Sequence, residues 1–153
     1  MGKTKSPRSG HSVRLIEYIL PGDWKVLAGR MDADNEHLSL RVARPDDWWF
    51  HVRRMPGSHV ILQGPPGEDA DRQTLKRAAA IAAYHSKARQ AGVVAVSCMR
   101  ARYVTKARDP KVGTVQIRKE VVFKGRPTLG EQRTTSGDGR AAKKKERPIN
   151  RMR

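Results

Sequence analysis

Residues 71–90 carry the clearest helical pattern in the chain, and the small side chains on their apolar face constrain the fold most. Acidic residues lie at the positive end of this predicted helix, and Gly92 follows it where a C-cap glycine is common. At about 100° per residue, one face consists of small or apolar residues. A helix with such a face can pack closely on a sheet. That face comprises Leu75, Ala78, Ala79, Ala82 and Ser86, with Ile81 beside it.

Short apolar runs supply the predicted strands. Residues 13–20 and 24–29 form a hairpin around Pro21-Gly22-Asp23, because proline fixes φ and glycine tolerates unusual φ values. Residues 93–99 are a continuous apolar run, which is typical of a central strand. Residues 32–43 favour a short helix, although their apolar spacing also fits a strand. Further strands are predicted at residues 48–52, 58–63 and 100–106, with a final hairpin at 113–123.

The fold class that follows is α+β, with a mostly antiparallel mixed sheet packed against one principal helix. A chain of 153 residues forms about one domain, which we place at residues 12–125. Residues 126–153 contain nine Lys or Arg, three Asp or Glu and few apolar side chains, a composition that predicts a disordered basic C-terminal tail. Residues 1–11 are predicted to be a flexible basic N-terminus.

Cysteine usage and hydropathy indicate a cytoplasmic protein. The single cysteine, Cys98, excludes an internal disulfide and any Cys-rich zinc module. It lies in an apolar run, where a buried thiol is more common than a reactive one. No run reaches the roughly 18 consecutive apolar residues of a membrane span, and no apolar core follows the basic N-terminus as in a secretory signal.

The turn around Pro56-Gly57 has the residue types of a catalytic site. His51 and His59 flank it and Asp47 lies upstream, so these three could hold a metal or act as acid and base. However, no HExxH or paired Cys/His spacing is present. Ser58 and its neighbour His59 would point to opposite faces of a strand, which prevents a nucleophile–base contact. We therefore expect no catalytic residue, metal or cofactor.

The charge balance indicates a polyanionic partner. The 32 Lys and Arg exceed the 15 Asp and Glu by 17, whereas ordinary solvated faces mix signs. Arg100, Arg102 and Lys106 would share one face of the predicted strand at 100–106. The adjacent Trp48 and Trp49 would point to opposite faces, so one of them could be an exposed platform for stacking bases. Nucleic-acid binding is the predicted function.

Several motifs follow one another in an order that resembles a known family. Asp46-Asp47-Trp48-Trp49-Phe50-His51-Val52 is followed by Pro56-Gly57-Ser58-His59-Val60, and residues 82–89 read Ala-Ala-Tyr-His-Ser-Lys-Ala-Arg. Over residues 14–124 the chain resembles the NFACT-R domain (NFACT RNA-binding domain), which is also known as a domain of unknown function. His85 replaces the second aromatic residue of the family's helix-end motif, and Met31 stands where the family often has Asn.

The resemblance implies a stand-alone RNA-binding module. In larger members this domain is the C-terminal part of ribosome-associated quality-control factors, which engage tRNA and the large ribosomal subunit when a nascent chain is stalled. Their other domains have no counterpart in these 153 residues, so we do not expect the chain to direct tail synthesis. The expected partners are tRNA or rRNA and the large subunit. The predicted RNA-binding residues are His51, Arg53, Arg54, Ser58, His59, Lys87, Arg89, Arg100, Arg102 and Lys106.

Two other functions are compatible with this sequence. One is an enzyme acting on RNA through a metal or through its histidines. The other is a ribosome-associated protein-interaction adaptor whose charge only attracts it to ribosomes.

Overall fold

A fully antiparallel sheet of seven strands organises the computed structural model, which describes residues 14–108, 111–130 and 133–135. The strand order is β8-β5-β3-β4-β2-β1-β9, and β6 and β7 form a separate two-stranded sheet. The α+β prediction is confirmed. The strands are β1 (Leu15–Leu20), β2 (Trp24–Gly29), β3 (Trp48–Val52), β4 (Val60–Gln63), β5 (Val94–Arg100), β6 (Val104–Lys106), β7 (Val115–Ile117), β8 (Val121–Gly125) and β9 (Arg133–Thr135).

The first hairpin forms as predicted. Strands β1 and β2 pair in register from Leu15 opposite Gly29 to Leu20 opposite Trp24. Gly22 and Asp23 in the connecting turn both have positive φ, at 87° and 67°. Two successive positive φ values give the turn a twist that matches that of the flanking strands.

Helix α2 (Arg72–Tyr84) covers one face of the sheet. Asp71 caps it by accepting a hydrogen bond from the Thr74 backbone N–H at 2.8 Å, which satisfies one of the free donors of the first turn. The predicted alanine face is buried against the strands, with Ala78 and Ala82 fully inaccessible to solvent. The predicted end at residue 90 is wrong, because the chain leaves the helix at Tyr84 to bond with the β3–β4 turn.

A second, smaller core lies on the other face. Helix α1 (Asp32–His37) continues into a π-helical turn, Leu38–Val42, so the helix predicted at residues 32–43 is confirmed. Leu38 is fully buried, and it shares a cluster with Trp49, Ile61 and Met99 from the sheet. Leu40 and Val42, whose spacing also fitted a strand, belong to this helical segment.

Two strand predictions in the second half are wrong. Residues 100–106 do not form one strand, because Ala101–Tyr103 is a 3-10 turn between β5 and β6. Residues 113–123 do not form a hairpin, because β7 pairs with β6 and β8 pairs with β5. Ile117 packs on the second core whereas Phe123 packs on the first, so the chain crosses between layers through a turn at Lys119, whose φ is 59°.

The chain after β8 crosses helix α2 and then extends the opposite edge of the sheet. The Thr128 backbone N–H donates to the Ala80 carbonyl at 3.3 Å, and β9 pairs with β1. The predicted tail begins within this segment, and residues 136–153 lie outside the described residues, as does the predicted N-terminus at 1–11. Among the described residues, no helix is long and apolar enough to span a membrane.

Candidate nucleic-acid interface

The β3–β4 turn, residues 53–59, is held against the end of α2 by backbone hydrogen bonds; we call it the signature turn. The Ser58 N–H donates to the His85 carbonyl at 2.9 Å, and the Lys87 N–H donates to the Pro56 carbonyl at 3.3 Å. The Ser58 hydroxyl donates to the Gly29 carbonyl at 2.5 Å. Three segments that are distant in sequence therefore meet at this turn.

Gly57 is required by the closeness of this contact. A Cβ placed on Gly57 would lie 2.8 Å from the Cβ of Ser86 and 3.3 Å from the His85 carbonyl oxygen. The φ angle at Gly57 is not positive, so space rather than backbone conformation explains the glycine. The Pro-Gly pair of the motif thus positions the turn on the helix end.

His59 lies beneath the signature turn, in a buried hydrogen-bonded network. Trp49 Nε1 donates to Ser39 Oγ at 2.8 Å, which leaves the serine proton free for His59 Nδ1 at 2.6 Å. The backbone N–H of His59 donates to Asn35 Oδ1 at 3.0 Å. Burial, and then the nearby His51, lower the pKa of His59 to about 3. The ring is neutral and the residue is 5% exposed, so His59 supports the turn from inside.

His51 is half-buried beside a cavity of about 280 Å³. Its ring stacks on Trp49 with centroids 5.9 Å apart, and burial lowers its pKa below the ordinary value. Arg53, which also lines this cavity, forms a 3.1 Å ion pair with Glu120. Of these predicted contacts, Arg53 is therefore already engaged by a carboxylate.

The residues considered for catalysis are committed to structural contacts. The buried Asp47 accepts hydrogen bonds from the Arg44 backbone N–H and from Gln63 Nε2, both at 2.8 Å. The Ser58 hydroxyl bonds the Gly29 carbonyl rather than a histidine. No group of three or more His, Cys, Asp and Glu side chains suited to a metal occurs among the described residues.

The end of α2 carries an aromatic and cationic cluster. Tyr18 Oη and His85 Nε2 lie 2.5 Å apart. The guanidinium carbon of Arg89 lies 3.9 Å from the ring centroid of Tyr84, and Arg89 Nε donates to the Tyr84 carbonyl at 2.7 Å. Burial, followed by the charges of Arg89 and Arg30, lowers the pKa of His85 to about 4. Both arginines therefore lie near this ring, which is neutral at pH 7.

Arg30 was not among the predicted RNA contacts. It follows Gly29, whose carbonyl is bonded to Ser58, so the fold brings it to the signature turn from β2. The sequence signal that could have found it is its place in the Gly29-Arg30 part of the family resemblance.

Arg100 and Arg102 are paired with acidic residues at a separate pocket. The Arg100 guanidinium lies 3.9 Å from the centroid of the Trp48 ring and donates two hydrogen bonds to Asp69, at 2.9 and 3.0 Å. It therefore covers one face of Trp48, which is one of the two tryptophans predicted as a possible stacking platform. Arg102 is bonded to Asp46.

Lys106 lies apart from these two arginines. Its Nζ is 2.9 Å from Glu36 Oε1. The Gly113 backbone N–H, and then Lys106, lower the pKa of Glu36. The three cations predicted to share one strand face are thus distributed over two places, and each has a carboxylate partner.

Four exposed cations around the signature turn are arranged differently. Within the described part of the chain, none of them forms an ion pair with Asp or Glu. Backbone bonds bring their segments together from β2, from the turn itself and from the end of α2. We call this set the turn surface: Arg30, Arg54, Lys87 and Arg89.

Comparison with known proteins agrees with this geometry. Residues 16–119 match the family model described as "NFACT protein RNA binding domain". The chain belongs to this family. The match spans the signature turn and the end of α2, so the NFACT-R domain includes every part of the turn surface.

Relatives in bacteria and animals carry this domain within longer chains. The chain is 36% identical over 113 residues to the Rqc2 homolog RqcH of Bacillus subtilis, covering 74% of this chain and 19% of the relative. It is 32% identical over 120 residues to RqcH of Streptococcus suis, covering 77% and 21%. The chain therefore spans about a fifth of these relatives. The Drosophila melanogaster relative, "Ribosome quality control complex subunit NEMF homolog", is 35% identical over 50% of this chain and 8% of its own length.

A solved structure shares the fold. The C-terminal part of the fibronectin/fibrinogen-binding protein from Streptococcus suis superposes with a TM-score of 0.71 at 28% identity. The alignment covers 80% of this chain and 49% of that one.

Proposed function

We propose that this chain is a non-catalytic RNA-binding module that contacts RNA through the turn surface. The observation that carries the proposal is the gathering of four exposed cations, without carboxylate partners among the described residues, at the signature turn. Arginine forks and lysine ammonium groups bind phosphate oxygens, and neutralised phosphates release condensed counterions. A cation that already has a carboxylate partner contributes less to this effect.

The remaining signature residues support the turn surface from below. His59 and Ser58 hold the turn against Ser39 and Gly29. Because Asp47, Ser58 and His59 are occupied by different structural partners, they supply no nucleophile–base pair for RNA cleavage. This arrangement supports a binding role rather than an enzymatic one.

The proposed biological setting is the ribosome, with tRNA or large-subunit rRNA as the bound RNA. The support comes from relatives whose names connect them with ribosome quality control. About four fifths of the length of these relatives lies outside the region shared here, so their wider activities are not part of the proposal.

The test compares two variants that lose the same charge. Lys87→Gln with Arg89→Gln removes two unpaired cations, whereas Arg102→Gln with Lys106→Gln removes two paired ones. Binding of tRNA and of rRNA fragments is measured against salt concentration. We expect the first variant to bind more weakly and its log-log salt slope to fall by roughly 1.5, at about 0.7–0.9 per lost phosphate contact. Equal losses in both variants would refute the assignment of the contacts to the turn surface.

A further inference from the structure

A second cationic site lies on the first half of α2, away from the signature turn. A groove of about 510 Å³ separates the helix from the segment that follows β8. Ala79 and Ala80 contribute to its floor, and Thr128 is bonded to the Ala80 carbonyl across it. We call this feature the α2 groove; its cations are Lys76, Arg77, Lys124 and Arg126.

The charges of the α2 groove are not balanced locally. No Asp or Glu is among the described residues that line it, and in this part of the chain none of its four cations forms an ion pair. Asp71 lies at the start of the same helix; its carboxylate caps α2, and it interacts electrostatically with Arg77 without forming an ion pair. A fifth cation, Arg72, lies 5.6 Å from the centroid of the Phe123 ring.

This placement of charge is unfavourable for the fold by itself. Lys76 and Arg77 are adjacent cations in the second turn of α2. Lys124 and Arg126 add like charges from the facing segment. A bound anion would offset this repulsion, so the groove has the electrostatics of an anion site.

We propose that the α2 groove is a second phosphate-binding site, which holds the backbone of the same RNA that contacts the turn surface. This inference rests on the proposed RNA-binding function. Arg77 lies seven residues before Tyr84, about 10 Å along the helix axis, so one RNA strand can reach both sites.

RNA fits the groove better than an acidic protein does. Protein interfaces depend on aromatic and large apolar anchors that enter pockets. The apolar part of the groove lining comes from Ala79, Ala80, the half-buried Leu129 and Phe123, which is only 8% exposed. Its four cations have no carboxylate among the described lining residues, and residues 16–119 match an RNA-binding family, so RNA is the polyanion that we assign to the groove.

The test uses three variants of the full chain and two RNA lengths. The groove variant carries Lys76→Gln, Arg77→Gln and Lys124→Gln. The turn variant carries Lys87→Gln and Arg89→Gln. The control removes three paired cations through Lys25→Gln, Arg102→Gln and Lys106→Gln, and so matches the groove variant in charge. Oligonucleotides of about 4 and about 12 nucleotides bracket common single-strand site sizes.

We expect the groove variant to lose affinity for the longer RNA by at least about tenfold, because the two linked contacts no longer act together. Its salt slope should fall by roughly 2, while binding of the shorter RNA at the turn surface changes little. Urea unfolding confirms that each variant is folded.

Unchanged affinity and salt slope for the longer RNA in the groove variant, or equal losses in the control, would overturn the proposal. If only the turn variant loses binding, the turn surface stands and the groove is rejected. If only the groove variant loses binding, the groove is supported and the turn-surface assignment is rejected. If neither loses binding, both assignments fail, and binding of an acidic protein by the groove would explain its charge.

Discussion

Replacing Gly57 with alanine perturbs the point where the signature turn touches the end of α2. The added methyl group would lie 2.8 Å from Ser86 Cβ and 3.2 Å from Ser86 Cα, closer than side chains normally approach. Ser86 has little freedom to withdraw. Its hydroxyl donates to the Ala83 carbonyl at 2.7 Å and accepts from the Ala88 N–H at 3.0 Å.

This overpacking should lower the free energy of unfolding of the variant. Inserting a methyl group where no space exists destabilises proteins by about 1–3 kcal/mol, and we expect Gly57→Ala to lie in that range. The displaced turn would also move Lys87 and Arg54 relative to one another. RNA affinity should therefore fall even under conditions in which the variant is fully folded.

Urea unfolding measures the stability, and Gly125→Ala is the matched control. A Cβ on Gly125 meets nothing within 4 Å, so that variant should be about as stable as the wild type. Adding Ser86→Gly to Gly57→Ala removes the opposing Cβ and should make the double variant more stable than the sum of the two single effects. If Gly57→Ala is as stable as Gly125→Ala, or if the double variant shows simple additivity, the steric explanation is refuted.

Three further measurements test the core. Leu38→Ala should lower the free energy of unfolding by about 2–5 kcal/mol, because the side chain is fully buried in the second core; urea unfolding checks this. His59 has a folded pKa of about 3 against an ordinary 6.5, so the unfolded state binds more protons between these values. Stability should therefore be greatest above pH 6.5 and fall as the pH drops towards 3, with a weaker dependence in His59→Gln. Burial raises the pKa of Cys98 to about 12, so a thiol reagent should modify Cys98 only on unfolding.

Local signals in the sequence predicted much of the fold. The Pro21-Gly22-Asp23 turn predicted the first hairpin, because its conformational requirements are met within the turn itself. The start of α2 was predicted within one residue, and Asp71 caps it through an ordinary side-chain bond. The alanine face of that helix is buried against the sheet, as its spacing indicated.

Long-range contacts decide the parts that were predicted wrongly. Residues 85–90 have a helix-forming sequence, but the His85 carbonyl and the Lys87 N–H bond the signature turn instead. Likewise, β7 and β8 have the pattern of a hairpin, and only the packing of Ile117 and Phe123 on opposite layers separates them. Neither the bonding to the signature turn nor the packing on opposite layers can be recognised from neighbouring residues in the sequence.

At the candidate site, cations that look equivalent in the sequence have different surroundings in the fold. Sequence predicted Arg100 and Lys87 as equivalent RNA contacts, although the fold gives one of them an acidic partner 31 residues away and leaves the other exposed. A paired cation must break its ion pair before it binds a phosphate, so the net gain in binding free energy is small. Knowing which cations have a carboxylate partner in the fold therefore says more about the RNA contacts than the net charge of +17 does.

This division into paired and unpaired cations gives an expected salt dependence for the two proposed RNA contacts together. The four cations of the turn surface and the four of the α2 groove can neutralise eight phosphates, which corresponds to a log-log slope of about −6 to −7. The chain after Thr135 adds seven Lys or Arg. Truncation after Thr135 separates the two contributions and keeps β9 paired with β1, whereas truncation after β8 would remove both β9 and the Thr128 contact with α2. A truncated chain with a slope steeper than about −7 would show that cations outside the turn surface and the α2 groove also contact RNA.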